Sequence, residues 1–204
     1  HRDLHSFPTR RSSDLLVPQP APRTHRLHDG EAMLIRPVGP ADIALLGAFF
    51  ETLSPQTVFN RFLTPMHRAS RIHLERAARV DPSTDCVLAA CVQEDGPWRF
   101  AGVGRIRRTG PDAAELAIVV GDRWHRRGIA RLLLRRLTEV ARTLGLAWFD
   151  STIDPGNLRL IRFAEAVGFK GDLKYRDGVL HMRTDIAALF PEAMRDPIDE
   201  HERP

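Results

Sequence analysis

The residues with most chemistry to offer lie between Ala113 and Arg131. Ala113–Val120 reads AAELAIVV, an apolar run with one carboxylate, Glu115. Strand alternation puts Glu115 on the same face as Ala113, Ala117 and Val119. A carboxylate among apolar neighbours suits a general base acting through water; the alternative is a carboxylate turned to solvent at a sheet end. Gly121–Arg127 then reads GDRWHRR, followed by Gly128, Ile129 and Ala130. Small residues let a ligand approach the backbone. The first N–H groups of a helix have no internal acceptor, and the helix dipole adds positive potential there. Strand, arginine-rich turn and helix therefore make a candidate phosphate cradle, to which Arg126, Arg127 or Arg131 could add charge. It is neither a Walker loop nor a dinucleotide fingerprint, since neither Gly-Lys-Ser/Thr nor Gly-x-Gly-x-x-Gly is present. Asp122 is a weaker candidate base, because phosphate should fill its loop. Asn157, after Asp154-Pro155-Gly156, suits a helix N-cap.

The elements that must position these residues follow from pattern. Ala32–Arg36 reads as a strand. Ala41–Thr52, a short helix capped by Ser54-Pro55 and reaching about Phe62, and Arg68–Val80 read as helices. The period then changes. Asp85–Gln93, Trp98–Arg108 and Ala113–Val120 read as an antiparallel meander, with turns at Glu94-Asp95-Gly96 and Thr109–Asp112. Arg127–Leu144 carries an apolar stripe of Ala130, Leu133, Leu134, Leu137, Ala141 and Leu144, with Gly145 as its C-cap. Ala147–Ile153 is a strand after it, so a parallel pair joined by a crossover is expected. A helix over Asn157–Val167 and a hairpin of Leu173–Arg176 with Val179–Asp185 complete the order. The expected class is α/β (α+β): a mixed, mostly antiparallel sheet of about seven strands with helices on both faces.

Composition narrows the function classes. The 204 residues fit one domain, and 43% are hydrophobic, enough for a core. No apolar run is long enough to span a membrane. The formal charge of +4 comes from arginines dispersed among acids, which argues against a nucleic-acid module. Cys86 and Cys91 lie too far apart along one strand to pair, which suits a reducing, cytoplasmic setting. The nine histidines show no ligand spacing, so no metal is expected. His1–Leu15 resembles a translated sequencing adapter. Residues 1–29 are expected to be an artefactual or extended leader, 30–186 the domain, and 187–204 a loose acidic tail.

The run from Val120 to Ala130, the amphipathic helix, the next strand, Asn157 and AEAVGF together resemble the GNAT superfamily of acyl-CoA-dependent N-acyltransferases. Its Gln/Arg-x-x-Gly-x-Gly/Ala signature is met here by His125-Arg126-Arg127-Gly128-Ile129-Ala130, with His in the first place. LIRPVGPADIALLGAFFETLSPQTVFNRFLTPM, with Leu53-Ser54-Pro55 and then Arg61-Phe62, looks like the opening of bacterial protein-lysine acetyltransferase domains. The resemblance implies acetyl-CoA as donor. Its pyrophosphate would lie on His125–Arg131 and its pantetheine arm against Asn157. Its oxyanion would meet a backbone N–H of Ile118, Val119 or Val120, where this strand parts from Ala147–Ile153. Glu115 would be the base. Ala164 stands where many members carry an acidic Tyr; a thiol leaving group with pKa about 8.5 can do without one. The implied acceptor is a protein lysine, such as one on an acyl-CoA synthetase, or a small amine. A non-catalytic acyl-CoA-binding regulatory domain is the remaining alternative, and monomer or homodimer stays open.

Overall fold

The computed structural model describes residues 16–27, 29–64, 79–93 and 96–190. The expected helix over Arg68–Val80 lies, up to residue 78, outside the described residues, as do His1–Leu15, the tail from residue 191 and the turn residues Glu94 and Asp95.

An eight-stranded sheet runs in the order β1-β2-β3-β4-β5-β6-β8-β7. The strands are β1 Arg23–Arg26, β2 Ala32–Pro37, β3 Asp85–Gln93, β4 Trp98–Arg108, β5 Ala113–Val120, β6 Trp148–Ile153, β7 Gly171–Arg176 and β8 Val179–Asp185. Every pairing is antiparallel except β5 with β6. The described helices are α1 Ile43–Glu51, α2 Pro55–Phe62, α3 Ile129–Thr143 and α4 Leu158–Ala166.

β3 explains the layering. Its apolar run is buried on both faces, the pattern of a central strand covered from both sides. Val87, Ala89 and Cys91 pack with Leu46, Phe49 and Phe50 of α1 and Val58 of α2. Cys86, Leu88, Ala90 and Val92 pack with Leu133, Leu137 and Ala141 of α3. The two thiols thus face opposite layers, and burial pushes Cys86 up to about 12 and Cys91 up to about 11. α3 sits close to β4 because Gly104 has no side chain. A Cβ there would stand 2.8 Å from Leu137 Cδ1.

The expected meander and parallel crossover are present. One expectation is corrected: Leu16–Asp29 is not simply an extended leader. Arg23–Arg26 adds the eighth strand, pairing with Ala32–Ile35, and Val17 and Leu27 enter the core. The alternation there is masked because charged and polar side chains cover a short edge strand. Leu189 also belongs to the core, although residues from 187 on read as tail. Both segments wrap the flank of α3. Arg136 Nη2 donates to Ala21 O at 3.1 Å, and Arg142 Nη2 donates to Leu189 O at 3.0 Å. That wrapping explains why Leu132, Arg136 and Val140, outside the expected stripe, are buried. Helix α3 also starts two residues late, at Ile129, because Gly128 is left-handed at φ 89°.

Asp85, 2% exposed, anchors the end of β3. It accepts from Arg105 Nη2 at 2.5 Å, Arg107 Nε at 3.1 Å and Asp81 N at 3.0 Å. Breaking a buried pair strands the remaining charge. Asp85→Ala is therefore expected to lower stability by about 3 kcal/mol in urea unfolding.

Candidate active site

The donor side is built at the end of β5. Gly121 N donates to Ala101 O at 2.9 Å, where a bulge interrupts the β3–β4 register. A single 3-10 turn, Asp122–Trp124, follows. Trp124 is 6% exposed and is flanked by the guanidinium groups of Arg123 and Arg127, 4.9 and 4.5 Å from the ring centroid. The ring fixes the turn's shape, and at Gly121 a Cβ would approach its Cδ1 to 3.2 Å. Arg126 and Gly128 then take positive φ, 63° and 89°. Left-handed residues in a tight turn gather successive N–H groups on one concave side. The N–H groups of Arg126, Arg127, Gly128, Ile129 and Ala130 have no acceptor among the described residues. An anion cradle is what such a turn at a helix N-terminus makes.

The arginines divide their work. Arg127 turns away from these amides to pair with Asp29 and with Glu31, the latter at 2.6 Å, in the β1–β2 turn. Arg131 lies over Phe190 at 5.5 Å. Arg126 is exposed beside the cradle. His125 is a tie between elements. Its Nε2 lies 3.0 Å from Val120 O and its Nδ1 2.7 Å from Arg159 Nη1 on α4. A carbonyl only accepts and a guanidinium only donates, so the ring is the Nε2–H tautomer. Asn157 caps α4, accepting from Leu160 N at 3.1 Å. Ala164, 7% exposed, brings no acid, and Tyr175, the one tyrosine of the chain, is 66% exposed on the edge strand β7.

β5 and β6 are paired only at Ala113 with Trp148, Ala114 with Phe149 and Glu115 with Asp150. One step on, Ser151 Oγ donates to Leu116 O at 3.1 Å in place of a ladder bond. Ile118, Val119 and Val120 are therefore paired with β4 but unpaired on their β6 side, where the two strands part. Glu115 sits at the last paired position. It is exposed, and its cross-strand neighbours are Arg107 and Asp150, not apolar residues. The apolar surroundings expected for it come from its own strand alone. On its face a small cavity is lined by Phe50, Arg61, Val87, Val103, Arg105, Ala117 and Val119. Burial lowers the Arg61 pKa and the Glu115 carboxylate raises it, while Arg105 and Arg107 lower it further.

Asp122 is not available as a base. Its carboxylate accepts from Ser54 N at 2.8 Å, Ser54 Oγ at 2.8 Å and Thr57 Oγ1 at 2.7 Å, latching the loop to the first turn of α2. Burial raises its pKa, but the Ser54 and Thr57 donors outweigh this and hold it below the ordinary 3.8. The pairing of Ser54-Pro55 with this loop carried no local signal in the sequence, nor did Arg61, Arg107, Asp150 or Arg159 as site neighbours.

A carboxyl depressed on folding stabilises above its unfolded pKa and loses that contribution as pH falls through the folded value. Asp122→Ala is expected to cost about 1 kcal/mol at neutral pH, allowing for the exposure of the carboxylate. The cost should begin to fall below about pH 4 and be lost only once the pH drops beneath the depressed folded value. Urea unfolding of both proteins across pH checks this.

Residues 32–170 match the family model for the acetyltransferase (GNAT) domain. Acetyltransferase PA5475 of Pseudomonas aeruginosa is 31% identical over 146 residues, covering 71% of this chain and 78% of the relative. Acetyltransferase Pat of Mycolicibacterium smegmatis is 26% identical over 176 residues, covering 85% of this chain; the chain spans only 49% of that relative's length. The GNAT domain of S. lividans PAT superposes with a TM-score of 0.73 at 28% identity, covering 80% of this chain and 96% of that one. A cAMP-binding acyltransferase from Mycobacterium smegmatis shares the fold, with a TM-score of 0.56 at 23% identity, covering 88% of this chain and 52% of that one. No described helix is long and apolar enough to cross a membrane. A cradle of backbone amides beside a parted strand pair fits the family's donor, acetyl-CoA, and the chain belongs to the GNAT family of N-acetyltransferases.

Proposed function

We propose that the protein transfers the acetyl group of acetyl-CoA to a primary amine, foremost a protein lysine, with Glu115 as general base. The observation that carries the reading is the position of Glu115, at the last paired step before β5 and β6 part. The opening run from Leu34 to Met66, with Leu53-Ser54-Pro55 and Arg61-Phe62, resembles protein-lysine acetyltransferase domains and supports a protein acceptor.

The chemistry follows from placement. The amides of Arg126 to Ala130 hold the donor's pyrophosphate, with Arg126 adding charge, and Asn157 borders the pantetheine arm. The thioester lies along Ile118–Val120, where a backbone N–H takes up the negative charge growing on the carbonyl oxygen. A lysine amine, pKa about 10.4, arrives protonated at neutral pH. It gives one proton through water to Glu115 and its nitrogen then attacks the carbonyl carbon. The C–N bond forms, the C–S bond breaks, and the second nitrogen proton leaves with the thiolate as coenzyme A thiol. Glu115 returns its proton to solvent. Ala164 supplies no acid, and a thiolate needs none.

Radiolabelled acetyl-CoA and a cell lysate test this. Label is expected on protein lysines, and Glu115→Gln should lower kcat about 100-fold while leaving acetyl-CoA binding unchanged. Label on polyamines or aminoglycosides in preference to proteins would move the acceptor to small amines. Donor binding without transfer to any acceptor would sink the enzymatic role.

A further inference from the structure

The face that carries Glu115 also carries a row of charges one strand wide and six strands long. Asp85 stands opposite Arg107, Arg107 opposite Glu115, Glu115 opposite Asp150, Asp150 opposite Arg183, and Arg183 opposite Asp172. Residues directly opposite share a face and lie about 5 Å apart at Cβ. The signs alternate along β3, β4 and β5, and again along β6, β8 and β7. They fail to alternate at one step, where Glu115 meets Asp150. Like charges directly opposite are destabilising, and nothing described neutralises both. Arg107 leans the other way, its Nε 3.1 Å from Asp85. Arg183 Nε is 3.9 Å from Asp150, a loose pair with both side chains more than 40% exposed. Arg61 of α2 interacts with Glu115 and lines the cavity over β3, β4 and β5.

The break coincides with a second, independent feature. It falls at the last hydrogen-bonded step of β5 and β6, beyond which the strands separate. A cation brought to that step would sit between two carboxylates and restore the alternation. The acetyl acceptor is such a cation. We propose that Asp150 is a positioning residue for the acceptor: with Glu115 it brackets the ammonium of an incoming primary amine at the point where the strands part. This rests on the reading of Glu115 as base. Asp150 takes no proton; it draws the ammonium in, and Glu115 receives the proton. The substrate class follows. Acceptors are amines that are cationic at neutral pH, and a weakly basic amine of the same shape binds less well.

The test compares wild type with Asp150→Asn, using a short peptide with a central lysine and a matched peptide carrying 4-aminophenylalanine, whose amine is neutral at pH 7. Asp150→Asn is expected to raise KM for the lysine peptide about fivefold, the upper range of an exposed ion pair, with kcat and the KM for acetyl-CoA unchanged. KM for the neutral peptide should stay the same. Asp150→Glu should recover most of the loss. In wild type, added salt should raise the lysine-peptide KM and so erase the difference. An unchanged lysine-peptide KM, or an equal rise for both peptides, overturns the proposal while leaving acetyl transfer intact. A wild type that acetylates neither peptide nor any lysate amine overturns the transfer reading, and this inference with it.

Discussion

The parallel pairing of β5 with β6 is short, and the rest of the site depends on its shortness. Parallel strands need a crossover between them, and here the crossover is α3. The helix begins where β5 ends, so the amides at its N-terminus stand beside the opening between the strands. The splay leaves the main chain of Ile118–Val120 facing space and puts Glu115 at the fork. The turn of free amides, the parting of β5 from β6 and the placement of Glu115 are consequences of one topological step. Their order along the chain follows from the same step, since the chain must pass the fork, turn and climb the helix.

Around that step the molecule is braced from both faces. Asp122 ties the cradle to the first turn of α2, and Arg61, near the other end of α2, lies close to Glu115. One helix thus touches both halves of the site. The opening run that carries Ser54-Pro55 and Arg61-Phe62 therefore has a physical reason for its pattern. Ser54 is both helix cap and loop partner, and Arg61 reaches the cavity wall because it lies two turns further on.

Much of this was readable from residue order. The switch from helical spacing before Pro82 to alternating runs after it marks the meander, and Gly145 closes α3 as its position suggests. Gly128, one of the small residues read at the helix mouth, does take a left-handed turn there. What pattern could not supply were contacts made across the sheet. β1 was hidden because Arg23, Thr24 and Arg26 are exposed on a short edge strand and only His25 is buried, so no apolar period shows. The company of Glu115 was misjudged for a related reason. Neighbours along the strand are visible in sequence, whereas Arg107 and Asp150 become neighbours only when register is fixed. Asp122 read as a weaker candidate base because the partners that occupy it lie more than sixty residues upstream.

The segments that wrap α3 have a consequence for how the domain can be used. Val17, Leu27, Ile186 and Leu189 all pack into the layer on the α3 side of the sheet. Glu115, Asp150 and Arg107 look out from the opposite layer. The described parts of the two flanking segments therefore act as a clasp on the α3 side of the sheet and pack away from Glu115 and Asp150. An acceptor reaching Glu115 from that opposite layer would not have to displace Val17, Leu27, Ile186 or Leu189.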